Sequence, residues 1–215
     1  YYLVELINAK PHLQLVYSDE DKIDDKGNFY DPYFKPGWNP ELIRAQNFFS
    51  HLGCYRRDLL ELVGGFRIGF EGSQDYDLLL RCWDAVGDSV IAHIPRVLYH
   101  WRAHAQSTAA TASTKPYALN AALAALSDHL ERRRINATVE ANPQGYHTIQ
   151  YAIPAEAPLV SIIIPTRDAP DLLRSCVHSV IANTTYPNWE MLIVDNGTTN
   201  PDALVLLDLS LIHIS

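Results

Sequence analysis

Short apolar runs recur along the chain, each closed by turn-forming residues, and their spacing predicts alternating strands and helices. Leu3, Leu6 and Ile7 share one face of a helix end that Pro11 closes. Leu13 to Tyr17 reads as a short buried strand running into Ser18-Asp19-Glu20-Asp21, an acidic cluster at a strand's tail end. Residues 22–37 read as a polar loop punctuated by Gly and Pro. Asn39-Pro40 starts a helix, with Asn as cap and Pro in the first turn. A second short helix covers Leu59 to Val63 and stops at Gly64-Gly65. Gly69 and Gly72 lie in the loop that follows, and Asp75 to Trp83 is a helix with Leu78, Leu79 and Cys82 inward. Val90 to His93 and Val97 to Tyr99 read as two short strands, and residues 102–114 as a small, polar surface loop. In Lys115 to Arg134 the recurrence of Leu119, Leu123, Leu126 and Leu130 predicts the clearest helix of the chain. Thr138 to Glu140 and Thr148 to Ile153 resemble a small strand pair.

A new unit begins near residue 159. Leu159 to Ile164 is apolar but for Ser161, the pattern of a strand buried on both faces. Asp168 is placed to cap the next helix, whose apolar face is Leu172, Leu173, Cys176, Val177, Val180 and Ile181. Trp189 to Val194 is a second buried strand ending in Asp195-Asn196-Gly197. Strand, helix and strand in so short a span form a βαβ unit and a parallel sheet. The first turn carries no GxGxxG, which disfavours a dinucleotide site.

Composition narrows the classes. The chain has 215 residues, 47% of them hydrophobic and 20% charged, the balance of a globular protein. A formal charge of −8 argues against nucleic acid as a partner. It suits a protein that recruits a cation to meet a phosphate. Cys54, Cys82 and Cys176 are odd in number and form no CxxC pair, so they read as reduced thiols of a cytoplasmic protein. His51 and Cys54 stand three apart but lack the rest of a tetrahedral zinc set. The apolar stretch at residues 159–165, interrupted by Ser161, falls far short of the roughly 20 residues that cross a bilayer. No signal peptide is visible, and the chain opens at Tyr1 in mid-pattern, which reads as a piece of a longer protein.

Asp19 and Asp21 form a D-x-D, the hard oxygen donors a divalent cation prefers. The same stretch also reads as a solvated acidic turn. An EF-hand fails, because the sixth residue from Asp19 is Asp24 rather than Gly and the twelfth is Tyr30 rather than Glu.

Five motifs together resemble the family-2 glycosyltransferases of GT-A fold. VSIIIPTRD (160–168) and LIVDNG (192–197) are similar to the opening of such a domain. SDED (18–21), GSQDYDLLLR (72–81) and LYHWR (98–102) are similar to its later part. The order is second half, connector, first half. The resemblance therefore implies an α/β, GT-A (Rossmann-like) architecture in two incomplete copies, at the junction of two tandem domains. Residues 1–112 would be the metal and acceptor half of the first, 113–158 a connector, and 159–208 the βαβ start of the second. Residues 209–215 leave the pattern and read as a non-native tail.

The resemblance also implies an inverting transfer from a UDP- or dTDP-sugar to a glycan or lipid-linked acceptor in bacterial surface polysaccharide or O-antigen synthesis. The parent would work in the cytoplasm, with peripheral association at the inner face of the membrane. Asp19 and Asp21 would hold Mn²⁺ or Mg²⁺, which stabilises the departing diphosphate. Asp75 would take the acceptor's proton. Asp77 competes for that role, and Gln74 stands where Glu is commoner. His100 would complete the metal shell, with His104 as its rival, and Arg102 would offset phosphate charge. Trp38 and Trp101 read as sugar-stacking or core aromatics. In the second unit Pro165, Thr166, Arg167 and Asp168 would flank the nucleotide. Asp195 would reach its uracil or ribose side, unless Asp-Asn-Gly is an ordinary turn. With half of each copy missing, the 215-residue chain is expected to be inactive alone. A non-catalytic carbohydrate-binding or scaffold module derived from such a domain is the rival reading.

Overall fold

The computed structural model describes residues 1–102, 116–143 and 145–210, residues 209 and 210 by backbone alone. It divides into two units, Tyr1–Ala152 and Ile153–Ser215. In chain order the first contains α1 (Tyr2–Ala9), β1 (Leu15–Ile23), β2 (Phe29–Tyr33), α2 (Pro40–Ala45), β3 (Gly53–Tyr55), α3 (Arg57–Val63), α4 (Gln74–Val86), β4 (Ile91–Arg102), α5 (Pro116–Arg132), β5 (Ala137–Ala141) and β6 (His147–Tyr151).

β1 is the centre of a four-stranded sheet. It runs parallel to β4 from Leu15 to Ile23, and antiparallel to β3 at Leu15–Tyr17 and to β2 from Glu20 onward. Its apolar half sorts by alternation. Leu15 and Tyr17 enter the main core with Ile43, Phe48, Leu79, Trp83 and Leu126, while Val16 joins Leu13 and Ile94 in a smaller cluster covered by Leu3 and Leu6 of α1.

Three expectations change here. The acidic cluster lies inside β1 rather than at its tail, because both edges of the strand stay hydrogen-bonded as far as Ile23. The polar loop after it contains β2. The two strands expected after residue 90 are one, β4, in which the register steps from Ser18↔Ile94 to Asp19↔Val97. Pro95 falls in that bulge, where its missing N–H costs no ladder bond.

α4 is buried from Tyr76 to Trp83 and packs against α5. Asp77 is wholly buried on this helix. Arg81 Nη2 donates to it at 2.8 Å, Arg67 also donates to it, and Arg67 Nη2 reaches on to Asp128 of α5 at 2.8 Å. Arg132 and Arg133 at the end of α5 each place Nε 2.7 Å from Asp84. β5 and β6 form an antiparallel hairpin. The His147 ring stacks on Tyr76 at 5.7 Å, and Tyr151 donates to Glu41 of α2 at 2.7 Å. Residues 116–152, read from the sequence as connector, thus pack onto the first unit.

The second unit comprises β7 (Val160–Thr166), α6 (Pro170–Asn183), β8 (Trp189–Asp195) and α7 (Pro201–Ser210), with β7 and β8 parallel and paired residue for residue. The expected burial of its strands is not met. Ile163 is 64% exposed and Leu192 45%. Of the six residues assigned to the apolar face of α6, Leu173 alone is buried, because two strands and two helices leave most of this face uncovered. Asp168 does not cap α6 either. Ala169 stands at the cap, while Asp168, at φ 50°, accepts the backbone N–H groups of Thr199 and Asn200 at 2.6 and 2.7 Å and ties the β8–α7 loop.

Candidate functional site

The three acidic residues of β1 each meet a histidine from elsewhere in the first unit. Asp19, 3% exposed, places Oδ1 2.7 Å from His93 Nε2 and accepts the Lys35 backbone N–H at 2.9 Å. The His93 ring stacks on Tyr17 at 4.8 Å. Asp21 and His100 face each other across the parallel β1–β4 pair, with Oδ1 and Nδ1 2.5 Å apart. Phe29 of β2 packs against the His100 ring at 4.4 Å. Glu20 accepts the His51 backbone N–H at 2.5 Å and lies 3.0 Å from His51 Nδ1 through the same oxygen.

Lys35 ties this cluster to the segment before β3. Its side chain is fully buried, with Nζ donating to the carbonyls of Ser50 and His51 at 2.8 and 2.6 Å and lying 3.6 Å from Glu20. Burial pulls its pKa down to about 8, against the opposing charges of Glu20 and Asp19. Burial would raise the Glu20 carboxyl, but the hydrogen bonds from His51 and the charge of Lys35 hold it below the usual carboxylate range.

Asp75 sits half-buried in the first turn of α4, where a carboxylate complements the helix dipole. Its Oδ2 accepts the Ser50 hydroxyl at 2.5 Å and the Asn47 amide at 3.0 Å. Ser50 precedes His51, so a single residue step joins the Asp75 partner to the Glu20 partner. Asp77, enclosed by two arginines, presents no face to a ligand. Gln74 is exposed and its Oε1 turns back to accept the Gly72 N–H at 2.8 Å. Arg102 is exposed at the end of β4. His104 lies outside the described residues. Trp38 belongs to the core, 5.2 Å from Trp83, with Nε1 donating to Asp88. Trp101 lies 5.2 Å from the His51 ring.

Among the described residues no three His, Cys, Asp or Glu side chains gather closely enough to cage a metal ion. Asp19 is buried and engaged. Asp21 and His100, with side chains 13% and 45% exposed, present a carboxylate and an imidazole outward. That pair fits a hard cation whose other ligands are phosphate oxygens and water, not a closed protein site.

In the second unit Pro165, Thr166 and Arg167 line one open pocket with Leu173 of α6. Asp195 stands opposite Thr166 in the strand register. It accepts the Thr198 N–H at 2.9 Å, and side-chain and backbone hydrogen bonds from Thr198 hold its carboxyl below the usual range.

The sequence reading missed Glu20, Asn47, Ser50, His51 as a site residue, His93 and the buried Lys35. Glu20 and His51 are 31 residues apart, and Asp19 and His93 are 74 apart. No local spacing signals partners at those separations.

Residues 161–213, within the second unit, match the Glycosyl transferase family 2 model. The chain is 46% identical over 206 residues to an uncharacterised protein, y4gI, of Sinorhizobium fredii. It is 40% identical over 200 residues to the O-antigen biosynthesis protein RfbC of Myxococcus xanthus. These alignments cover 94% and 93% of this chain, but 22% and 16% of the relatives, so the chain spans about a fifth of their length.

Proposed function

We propose that the chain is part of an inverting glycosyltransferase that moves a sugar from a nucleoside diphosphate, UDP or dTDP, onto a glycan or lipid-linked glycan during assembly of a bacterial surface polysaccharide. The observation that carries the reading is the Asp21–His100 pair across β1 and β4, within the unit that also holds Asp75 at the start of α4. The family match over residues 161–213 and the name of the Myxococcus relative support the same class. The two units are read as the closing half and the opening half of tandem GT-A domains. The free cysteines accord with the cytoplasm, and the parent is placed there, at the inner face of the membrane.

In this reading the acceptor oxygen attacks the anomeric carbon as the bond to the diphosphate breaks, and the acceptor proton passes to Asp75. Ser50 and Asn47 both bind Oδ2, which aims the carboxylate and leaves Oδ1 to take the proton. Asp21 and His100 would hold Mn²⁺ or Mg²⁺, with Asp19 buttressing the strand beneath. When bound, the cation offsets charge on the departing diphosphate. Arg102 adds positive charge at the end of β4. In the second unit Pro165, Thr166, Arg167 and Asp195 form the nucleotide edge of the next domain.

The test is calorimetric titration of this chain and of its full-length parent with UDP and dTDP, with and without Mn²⁺. Metal-dependent binding by the parent, weakened at least about tenfold by Asp21→Ala, is expected. An absence of nucleotide binding by the parent, or binding indifferent to Asp21, sinks the reading.

A further inference from the structure

His51, Tyr99 and Trp101 form a group of rings that the chemistry above does not use. The imidazole of His51 stacks on Tyr99 at 5.0 Å and 19°, and Trp101 lies against it at 5.2 Å and 50°. Tyr99 and Trp101 are alternate residues of β4 and half-buried, and the His51 side chain is 40% exposed. The imidazole is held from several sides: Glu20 takes both its backbone N–H and Nδ1, and Lys35 holds the carbonyls of residues 50 and 51.

An ionised carboxylate can only accept, so in the neutral imidazole Nδ1 carries the hydrogen and Nε2 offers a lone pair. Among the described residues no group donates to Nε2. The result is a rigid, half-exposed aromatic surface with one aimed hydrogen-bond acceptor at its edge. Its backbone continues one residue back to Ser50, which donates to Asp75.

A pyranose matches both parts of this surface. Its C–H face packs on an aromatic ring, and its ring hydroxyls are directional donors. We infer that Trp101, Tyr99 and His51 form the subsite that seats a pyranose ring of the acceptor glycan, with Trp101 as the stacking face and His51 Nε2 accepting a sugar hydroxyl. Tyr99 and Trp101 lie on the face of β4 opposite His100, so the assignment of this ring to the acceptor rests on the transferase reading and on the path through Ser50 to Asp75, not on closeness to the Asp21–His100 pair. Binding of a pyranose at the rings does not rest on that reading.

The test uses saturation-transfer NMR on this 215-residue chain. The probes are the methyl glycosides of glucose, galactose, mannose and rhamnose, each at millimolar concentration. At least one is expected to receive saturation. Trp101→Ala and His51→Ala are each expected to weaken that binding about five- to tenfold, the loss of roughly one stacking contact or one hydrogen bond. Trp101→Phe should keep most of it, and circular dichroism melts of all variants should overlay that of the parent chain. Saturation of none of the four probes overturns the proposal, as does saturation unchanged by Trp101→Ala and His51→Ala. A Trp101→Ala variant of the full-length parent that loses UDP while this chain's glycoside binding is unaffected makes the ring a nucleobase platform and also overturns it. Nucleotide binding by the parent with no glycoside binding here removes the subsite and leaves the transferase reading. Glycoside binding with no nucleotide binding leaves the subsite and removes the transferase reading.

Discussion

Asp75 and Asp77 lie two positions apart on α4, which turns their side chains about 200° from each other around the helix. One reaches the Ser50–His51 segment. The other enters the core between Arg67 and Arg81. Burial would raise the Asp77 carboxyl, but hydrogen bonds from the two arginines bring it below the usual carboxylate range. Its contribution to stability is therefore fully present above about pH 4, the ordinary value for an unfolded Asp. It is lost as pH falls through the lower folded value. Asp77→Asn is expected to cost about 3–5 kcal/mol at neutral pH, because the buried Arg81 guanidinium loses its counter-charge and the partly exposed Arg67 is left with Asp128 alone. Urea midpoints should show that gap narrowing between pH 4 and pH 2, and a gap independent of pH would contradict this account. The sequence held these two aspartates as rivals. What separates them is which face of α4 is buried against Arg67 and α5, a fact carried by residues such as Asp128 far along the chain.

Elements with strong repeats and clear punctuation are the most legible. The leucine spacing of α5 places that helix to within two residues at each end. Asn39 caps α2 by accepting the N–H groups of Glu41 and Leu42, and Gly64 ends α3 at φ 79°. Strand ends were less legible. β1 carries charge through half its length, and β4 spans a proline, so hydropathy stops both too early. Their true extent depends on pairing with each other. The α4–α5 seam carries much of the core. Leu126, fully buried there, should lose about 2–5 kcal/mol on Leu126→Ala. Leu172 belongs to the face that sequence reading took as buried, yet it is 75% exposed, so Leu172→Ala should change stability by no more than about 0.5 kcal/mol. Chemical denaturation of both variants checks the contrast, and equal losses would contradict the burial described for α6.

At the scale of the whole molecule, residues 153–156 and 158–159 are exposed and form no strand or helix between the two units. Glu156 is exposed in this segment, and residues 103–115 contain no glutamate. A glutamyl-specific protease is therefore expected to cut early after Glu156, detected by mass spectrometry as fragments 1–156 and 157–215. The larger fragment should keep a cooperative melt, while the smaller, with a two-stranded parallel sheet, should not. A cut elsewhere first, or a cooperative melt of the smaller fragment, would count against two units of unequal stability.

The β1–β4 pairing also sets an order of events. Asp21 meets His100 across 79 residues, and Asp19 meets His93 across 74. During synthesis the acidic strand leaves the ribosome long before His93 and His100 exist, and closing so long a loop is slow relative to forming α2 or α4. Until β4 docks, Asp19 and Asp21 lack His93 and His100, while Glu20 between them depends only on the earlier residues Lys35 and His51. The Asp19–His93 and Asp21–His100 pairs are therefore acquired only when β4 docks, and a chain interrupted before His93 has neither of them.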